Sequence, residues 1–163
     1  MERRAFEALL REHQGAVRAF LRRLLSHGRA DELAQEVFLK AWQVDFARVE
    51  NPRAFLYRMA YRRFLDDRKR DTRRETLSAG GPAPNTAATP AHGARLDIAR
   101  AVDALPPERR ACALLCLALG HSHDDAAAIT GLPLGTVKSH VARARASLQD
   151  SLRAYRTMET TDE

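Results

Sequence analysis

Apolar residues recur at helical spacing along most of this chain. From Glu2 to about Leu25, the residues Phe6, Leu9, Leu10, Val17, Phe20, Leu21, Leu24 and Leu25 keep to one broad stripe, and Gly28 follows as a stop signal. That pattern predicts a long amphipathic helix. A second helix is predicted from Ala30, with Asp31 and Glu32 in its first turn, where the helix dipole favours negative charge. Leu33, Val37, Phe38, Ala41 and Trp42 form its expected buried side. The segment from Asp45 to Glu50 breaks the periodicity, and Asn51-Pro52 restarts it, asparagine as N-cap and proline at the first helical position, where a missing N–H costs nothing. Phe55, Leu56, Met59, Ala60, Phe64 and Leu65 then carry a third helix.

From Thr76 to Gly93 the chain has no charged residue, three glycines and three prolines, and reads as a flexible linker. Beyond it, Leu96, Ala99, Val102 and Leu105 mark a short helix ended by Pro106-Pro107, and Glu108 to Leu119 forms an apolar helix closed by Gly120. Ser122-His-Asp-Asp125 has the spacing of a capping box, ahead of the apolar run Ala126 to Ile129 and the turn residue Gly131. In the last helix Val137, Val141, Ala144 and Leu148 line one stripe, whereas Lys138, Ser139, Arg143 and Arg145 fall on other faces. No acidic residue interrupts Thr136 to Leu148. A short helix, a glycine turn and a basic helix are the sequence form of a helix-turn-helix, which offers its second helix to DNA.

No stretch shows strand-like alternation. The expected fold is all-α, with two small helical domains over residues 1–75 and 94–156, a linker at 76–93 and a tail at 157–163.

Charge adds a second pointer to nucleic acid. Residues 1–75 hold 18 Lys and Arg against 12 Asp and Glu, while the remainder holds 9 against 9, so the excess lies entirely in the first half. Only Lys40, Lys69 and Lys138 are lysines; the rest of the cations are arginines, whose planar fork suits bidentate phosphate contact. Between Arg58 and Arg74 the third helix carries eight basic residues against Asp66, Asp67 and Asp71, interleaved with Tyr61 and Phe64. A polyanionic partner follows from this.

Other chemistries find little footing. There is no apolar run of about 18 residues and no charged-then-apolar leader, so a cytoplasmic protein without membrane insertion is expected. Cys112, Cys116, His121 and His123 have zinc-like residue types, but the cysteines stand one turn apart in an apolar helix, where a free thiol behaves as a small hydrophobe. No metal or other cofactor is expected. No phosphate-binding glycine loop, nucleophile elbow or acid–base pair is present, so neither an enzyme nor a small-molecule substrate is expected.

Three motifs together resemble the bacterial sigma-70 superfamily, specifically its extracytoplasmic-function (ECF) sigma factors. Asp31-Glu-Leu-Ala-Gln-Glu-Val-Phe-Leu-Lys-Ala-Trp42 is similar to the family's region 2.2, Asn51-Pro-Arg-Ala-Phe-Leu-Tyr-Arg-Met-Ala60 to the start of regions 2.3 and 2.4, and Gly135-Thr-Val-Lys-Ser139 to region 4.2. The resemblance implies a promoter-specificity subunit that binds core RNA polymerase, opens the -10 element with region 2 and reads the -35 element with region 4. It implies polymerase contact by Glu32, Gln35, Glu36 and Leu39 on the second helix. It assigns -10 contact to Arg53, Tyr57, Arg58, Tyr61, Arg62 and Arg63, with the tyrosines stacking on unpaired bases and the loop Asp45 to Asn51 capturing a flipped base. It assigns -35 contact to Thr136, Lys138, Ser139, His140 and Arg143. An anti-sigma factor is the further partner it implies, besides polymerase and promoter DNA.

A rival reading is a stand-alone dimeric helix-turn-helix regulator whose first 75 residues form an oligomerisation bundle. The motif from Glu32 to Trp42 separates the two, because only a sigma factor needs a polymerase-facing helix there.

Overall fold

The computed structural model describes residues 3–25, 28–77 and 94–159. Every regular element among them is helical: α1 (Arg3–Leu24), α2 (Ala30–Trp42), a 3-10 turn (Phe46–Arg48), α3 (Pro52–Leu77), α4 (Ala94–Asp103), α5 (Pro107–Ala113) continued by a π turn (Leu114–Ala118), α6 (His123–Thr130) and α7 (Leu134–Glu159). They fall into two compact units, divided between Thr86 and Ala87. The all-α reading and the helix order agree with the sequence pattern.

In the first unit α1, α2 and α3 pack on one another. Val17, Phe20, Leu21 and Leu24 of α1 meet Leu33, Val37 and Ala41 of α2 and Leu56, Ala60 and Phe64 of α3, all buried. Asn51 caps α3 as its type predicts, its Oδ1 accepting the Ala54 N–H at 2.9 Å. Helix α3 runs through Thr76 and Leu77, the first two residues of the segment read as linker. The Thr76 hydroxyl donates to the Thr72 and Arg73 carbonyls at 3.0 and 2.9 Å, tying down that last turn. The rest of that segment, 78–93, lies outside the described residues.

Two expectations for this unit fail. Trp42, expected inside, is 45% exposed, and Tyr57 and Tyr61, expected to stack on bases, are 1% and 2% exposed. Tyr57, Ala60, Tyr61 and Phe64 stand at i, i+3, i+4 and i+7, so they share the core stripe of α3, and Tyr57 meets Phe20 of α1 edge to face at 5.3 Å. Trp42 ends α2, where the core narrows, and packs against Phe6 instead, centroids 4.8 Å apart.

In the second unit α4, α5 and α6 each pack on α7. Val137, Val141 and Ala144 are buried as the stripe predicts, and Leu148 is half-buried. The helix expected from Glu108 to Leu119 widens after Ala113 into the π turn, where Leu119 N–H donates to the Leu114 carbonyl at 3.0 Å, five residues back. Arg110 is buried, and its Nη2 donates to the carbonyls of Asp103 and Leu105 at the end of α4. The backbone donors at i+3 and i+4 from Asp103 would be Pro106 and Pro107, which have no N–H, so the guanidinium supplies the donor there. Ser122 forms the predicted capping box, its Oγ accepting from Asp125 N–H at 3.0 Å and Asp125 Oδ2 accepting from Ser122 N–H at 3.3 Å. Gly131 ends α6 at φ +76°; a Cβ there would touch nothing, so glycine is required by the left-handed backbone and not by crowding.

Candidate functional site

The residues singled out in the sequence come to three surfaces, each set by one helix. On α2, Leu39 stands 69% exposed and Gln35 and Glu32 are exposed beside it. Burial of Leu33, Val37 and Ala41 on the opposite side of the helix forces this orientation. Glu32 is held by Arg29 Nε at 3.3 Å. Glu36 is only half-exposed, because Arg63 of α3 donates its Nε–H to Glu36 Oε2. That bond holds the Glu36 carboxyl below its ordinary pKa against the opposing effect of burial.

Next to this face lies an apolar groove that the sequence reading missed. Phe6 and Leu10 of α1 and Ala34, Phe38, Leu39 and Trp42 of α2 line about 650 Å³. Its sequence signal is the pair Phe6 and Leu10 at i, i+4, matched by Phe38 and Trp42 at the same spacing. On the exposed surface of the same two helices, Arg22 Nη2 donates to both oxygens of Asp31 at 3.0 and 2.9 Å and Arg18 Nε lies 3.2 Å from the same carboxylate, linking α2 to α1. The Arg22 hydrogen bond keeps the Asp31 carboxyl below its usual pKa.

On α3 the predicted residues divide. Arg53, Arg58 and Arg62 are exposed, whereas Tyr57 and Tyr61 lie in the core and Arg63 is 8% exposed and engaged by Glu36. Burial pushes the Tyr57 hydroxyl's pKa up, and the Arg53 guanidinium bonded to it pulls the other way. Tyr57 and Tyr61 therefore hold α3 in the core, while Arg53, Arg58 and Arg62 face solvent. The loop before α3 is ordered by Asp45, whose Oδ1 accepts the Ala47 N–H at 3.3 Å, and by Phe46 set edge to face on Phe55 with centroids 5.6 Å apart.

On α7 Lys138 and Arg143 are exposed, and Thr136, Ser139 and His140 are half-buried, with the Nδ1 of His140 buried. Buried Val137, Val141 and Ala144 pin the opposite face, so one helix presents hydroxyl, imidazole and cationic groups together. Groups of these types are able to hydrogen-bond base edges and phosphates.

The thiols and imidazoles weighed for zinc do not assemble. Among the described residues no three His, Cys, Asp or Glu side chains gather where they could hold a metal ion. Cys112 is fully buried, and burial pushes its thiol up to about 12, while Cys116 lies 3.9 Å from the Ser122 carbonyl oxygen, to which its S–H donates. No described helix is long and apolar enough to cross a membrane.

Comparison with known proteins places both units. The family model described as Sigma-70 region 2 matches residues 9–74, and that described as Sigma-70, region 4 matches residues 95–148. The chain is 34% identical over 152 residues to the ECF RNA polymerase sigma factor SigC of Mycobacterium tuberculosis, covering 89% of this chain and 82% of SigC. It is 36% identical over 125 residues to the ECF RNA polymerase sigma factor EcfG of Rhodopseudomonas palustris, covering 74% and 69%. Among solved structures, it matches the sigma factor RpoE of Bartonella quintana, crystallised with the anti-sigma factor NepR, with a TM-score of 0.80 and 32% identity over 91% of this chain and 97% of that one.

Proposed function

The chain belongs to the sigma-70 family, in its ECF branch, and works as an RNA polymerase sigma factor; from that premise we propose how its three surfaces divide the task. The α2 face of Glu32, Gln35, Glu36 and Leu39 docks on core polymerase, with the adjoining groove of Phe6, Leu10 and Trp42 as the apolar part of the same interface. An apolar patch rimmed by carboxylates fits a partner segment that combines basic and apolar side chains. The arginines of α3 that reach solvent, Arg53, Arg58 and Arg62, hold promoter DNA at the -10 element, beside the loop Asp45 to Asn51 in the role of base capture. Helix α7 reads the -35 element through Thr136, Lys138, Ser139, His140 and Arg143.

The observation that carries this reading is the opposition within one small unit: an acidic and apolar face on α2, and exposed arginines on α3. A protein that bound DNA alone would have no use for the first. The stand-alone regulator has no support among the relatives. We assign the chain no catalysis of its own and a place in the cytoplasm, where polymerase and promoters are. An anti-sigma factor is a further partner on this reading, supported by the RpoE structure solved with one.

Reconstitution with core RNA polymerase tests the assignment. The purified chain is expected to co-elute with core enzyme and to direct run-off transcription from a matched promoter. Failure to bind core, together with specific binding of a palindromic duplex by a dimer of the free chain, would refute it.

A further inference from the structure

The polar face of α2 and the basic face of α3 are joined by arginines, and the junctions include residues assigned above to opposite partners. Glu36 accepts a hydrogen bond from Arg63. Glu32 accepts one from Arg29, whose Nη1 also donates at 2.8 Å to Asp67, a buried carboxylate on α3. Each carboxylate of the α2 face thus reaches α3 through a guanidinium.

Arg63 is the unusual member. It lies among the promoter-facing arginines in sequence, yet it is 8% exposed and turned to α2. A guanidinium so far out of water keeps an anion beside it or becomes a large penalty. Its surroundings offer a way out: Arg63 forms part of the wall of a crevice of about 240 Å³ between α2 and α3, shared with Val37, Lys40, Met59, Arg62 and Asp66. Arg62, the adjacent residue, is already at the surface.

We propose that the Glu36–Arg63 pair is a latch that withholds Arg63 from promoter DNA until polymerase takes Glu36. A basic group of the polymerase on Glu36 releases Arg63, which swings through the crevice to the surface beside Arg62 and pairs with a phosphate. Both charges stay paired before and after, since one internal ion pair is exchanged for two intermolecular ones. Because binding linkage is reciprocal, DNA on Arg63 equally frees Glu36 for polymerase, and each ligand tightens the other by one common factor. Arg63 thereby makes the two interfaces of the first unit cooperative. The proposal rests on the assignment of α2 to polymerase and α3 to DNA.

Two substitutions in the full chain test it from opposite sides. Glu36→Gln removes the hydrogen-bonded anion at nearly constant shape and leaves Arg63 only the longer-range pull of Asp66 and Asp67, so the latch is open without polymerase. Its affinity for a mixed-sequence duplex with a single-stranded tail is expected to rise about tenfold, and its log–log salt dependence to steepen by about 0.9, the signature of one added phosphate contact. Arg63→Gln releases Glu36, and the chain is expected to bind core polymerase about tenfold tighter than wild type. If thermal melting shows Glu36→Gln to be unfolded, Glu36→Asp, one methylene too short to hold Arg63 Nε, replaces it with the same expected direction.

Unchanged DNA affinity and salt slope in the Glu36 variants, or Arg63→Gln binding polymerase no tighter than wild type, overturns the latch. The underlying assignment fails separately. If wild type does not bind core polymerase at all, the docking reading is lost, whereas Glu36→Gln that weakens polymerase binding but leaves DNA binding unchanged removes the latch and keeps the docking face.

Discussion

Leu39 offers the cleanest separation of folding from docking. It stands on α2 between buried Phe38 and half-exposed Trp42, and 69% of it is open to solvent, so truncation to alanine removes little that the folded unit uses. Surface substitutions of this kind shift stability by less than about 0.5 kcal/mol. Docking is another matter. Complete burial of a leucine side chain is worth about 1.5 to 3 kcal/mol, and with two-thirds of it still exposed, about 1 to 2 kcal/mol remains to be gained when polymerase covers it. Leu39→Ala should therefore melt within about 3 °C of wild type and bind core polymerase roughly 5- to 30-fold more weakly. Fluorescence anisotropy of a labelled chain titrated with core enzyme, beside a thermal melt by circular dichroism, gives both numbers. Wild-type affinity in Leu39→Ala would remove the α2 face from the interface, and a fall in melting temperature large enough to explain the lost binding would refute the claim that Leu39 does no structural work.

Three further outcomes follow from the same packing. Leu33→Ala, earlier on α2 and on its buried side, should cost about 3 kcal/mol and lower the melting temperature of the first unit by well over 10 °C, measured by denaturant and thermal unfolding. Lys138→Ala should leave melting unchanged, weaken a -35 duplex in salt titrations and reduce the log–log salt slope by about 0.9; an unchanged slope would place Lys138 off the phosphates. Cys112, whose thiol is pushed up to about 12 by burial, stays protonated in the folded chain while the unfolded chain ionises near its ordinary value of about 9. Stability is therefore intact below pH 9 and falls as pH rises from 9 to 12, by at most roughly 1.4 kcal/mol per unit, and Cys112→Ala should flatten that slope in melts run from pH 8 to 11.

How much of this was legible from sequence depended on whether the signal was local. The capping box at Ser122, the asparagine cap at Asn51 and the glycine turn at Gly131 were all readable, because each is a short-range contest over backbone hydrogen bonds or a positive φ. The stripe of α7 was readable from its own helical periodicity. Tyr57 and Tyr61 were misjudged although their spacing with Ala60 and Phe64 was available: aromatic residues among arginines look like a stacking surface when composition is weighed ahead of periodicity. Trp42 erred in the opposite sense, since its position on the helical wheel is interior but the core ends before it. The groove and the Glu36–Arg63 pair were beyond reach. The first is made where α1 crosses α2, and the second joins residues 27 positions apart on helices whose register only the fold determines.

The arginine at 110 sets a boundary for anyone dividing this protein. Its buried guanidinium holds the carbonyls of Asp103 and Leu105, at and just beyond the end of α4, next to a proline pair that has no N–H for Asp103. A fragment cut to begin at Pro107 would keep the guanidinium without the carbonyls it holds, one cut to begin at the helix-turn-helix would lose both, and either would strip α7 of a packing partner. The smallest portable -35 reader that this architecture allows is thus four helices starting at Ala94, and shorter grafts of the recognition helix into other sigma factors should be made as surface substitutions on an intact unit.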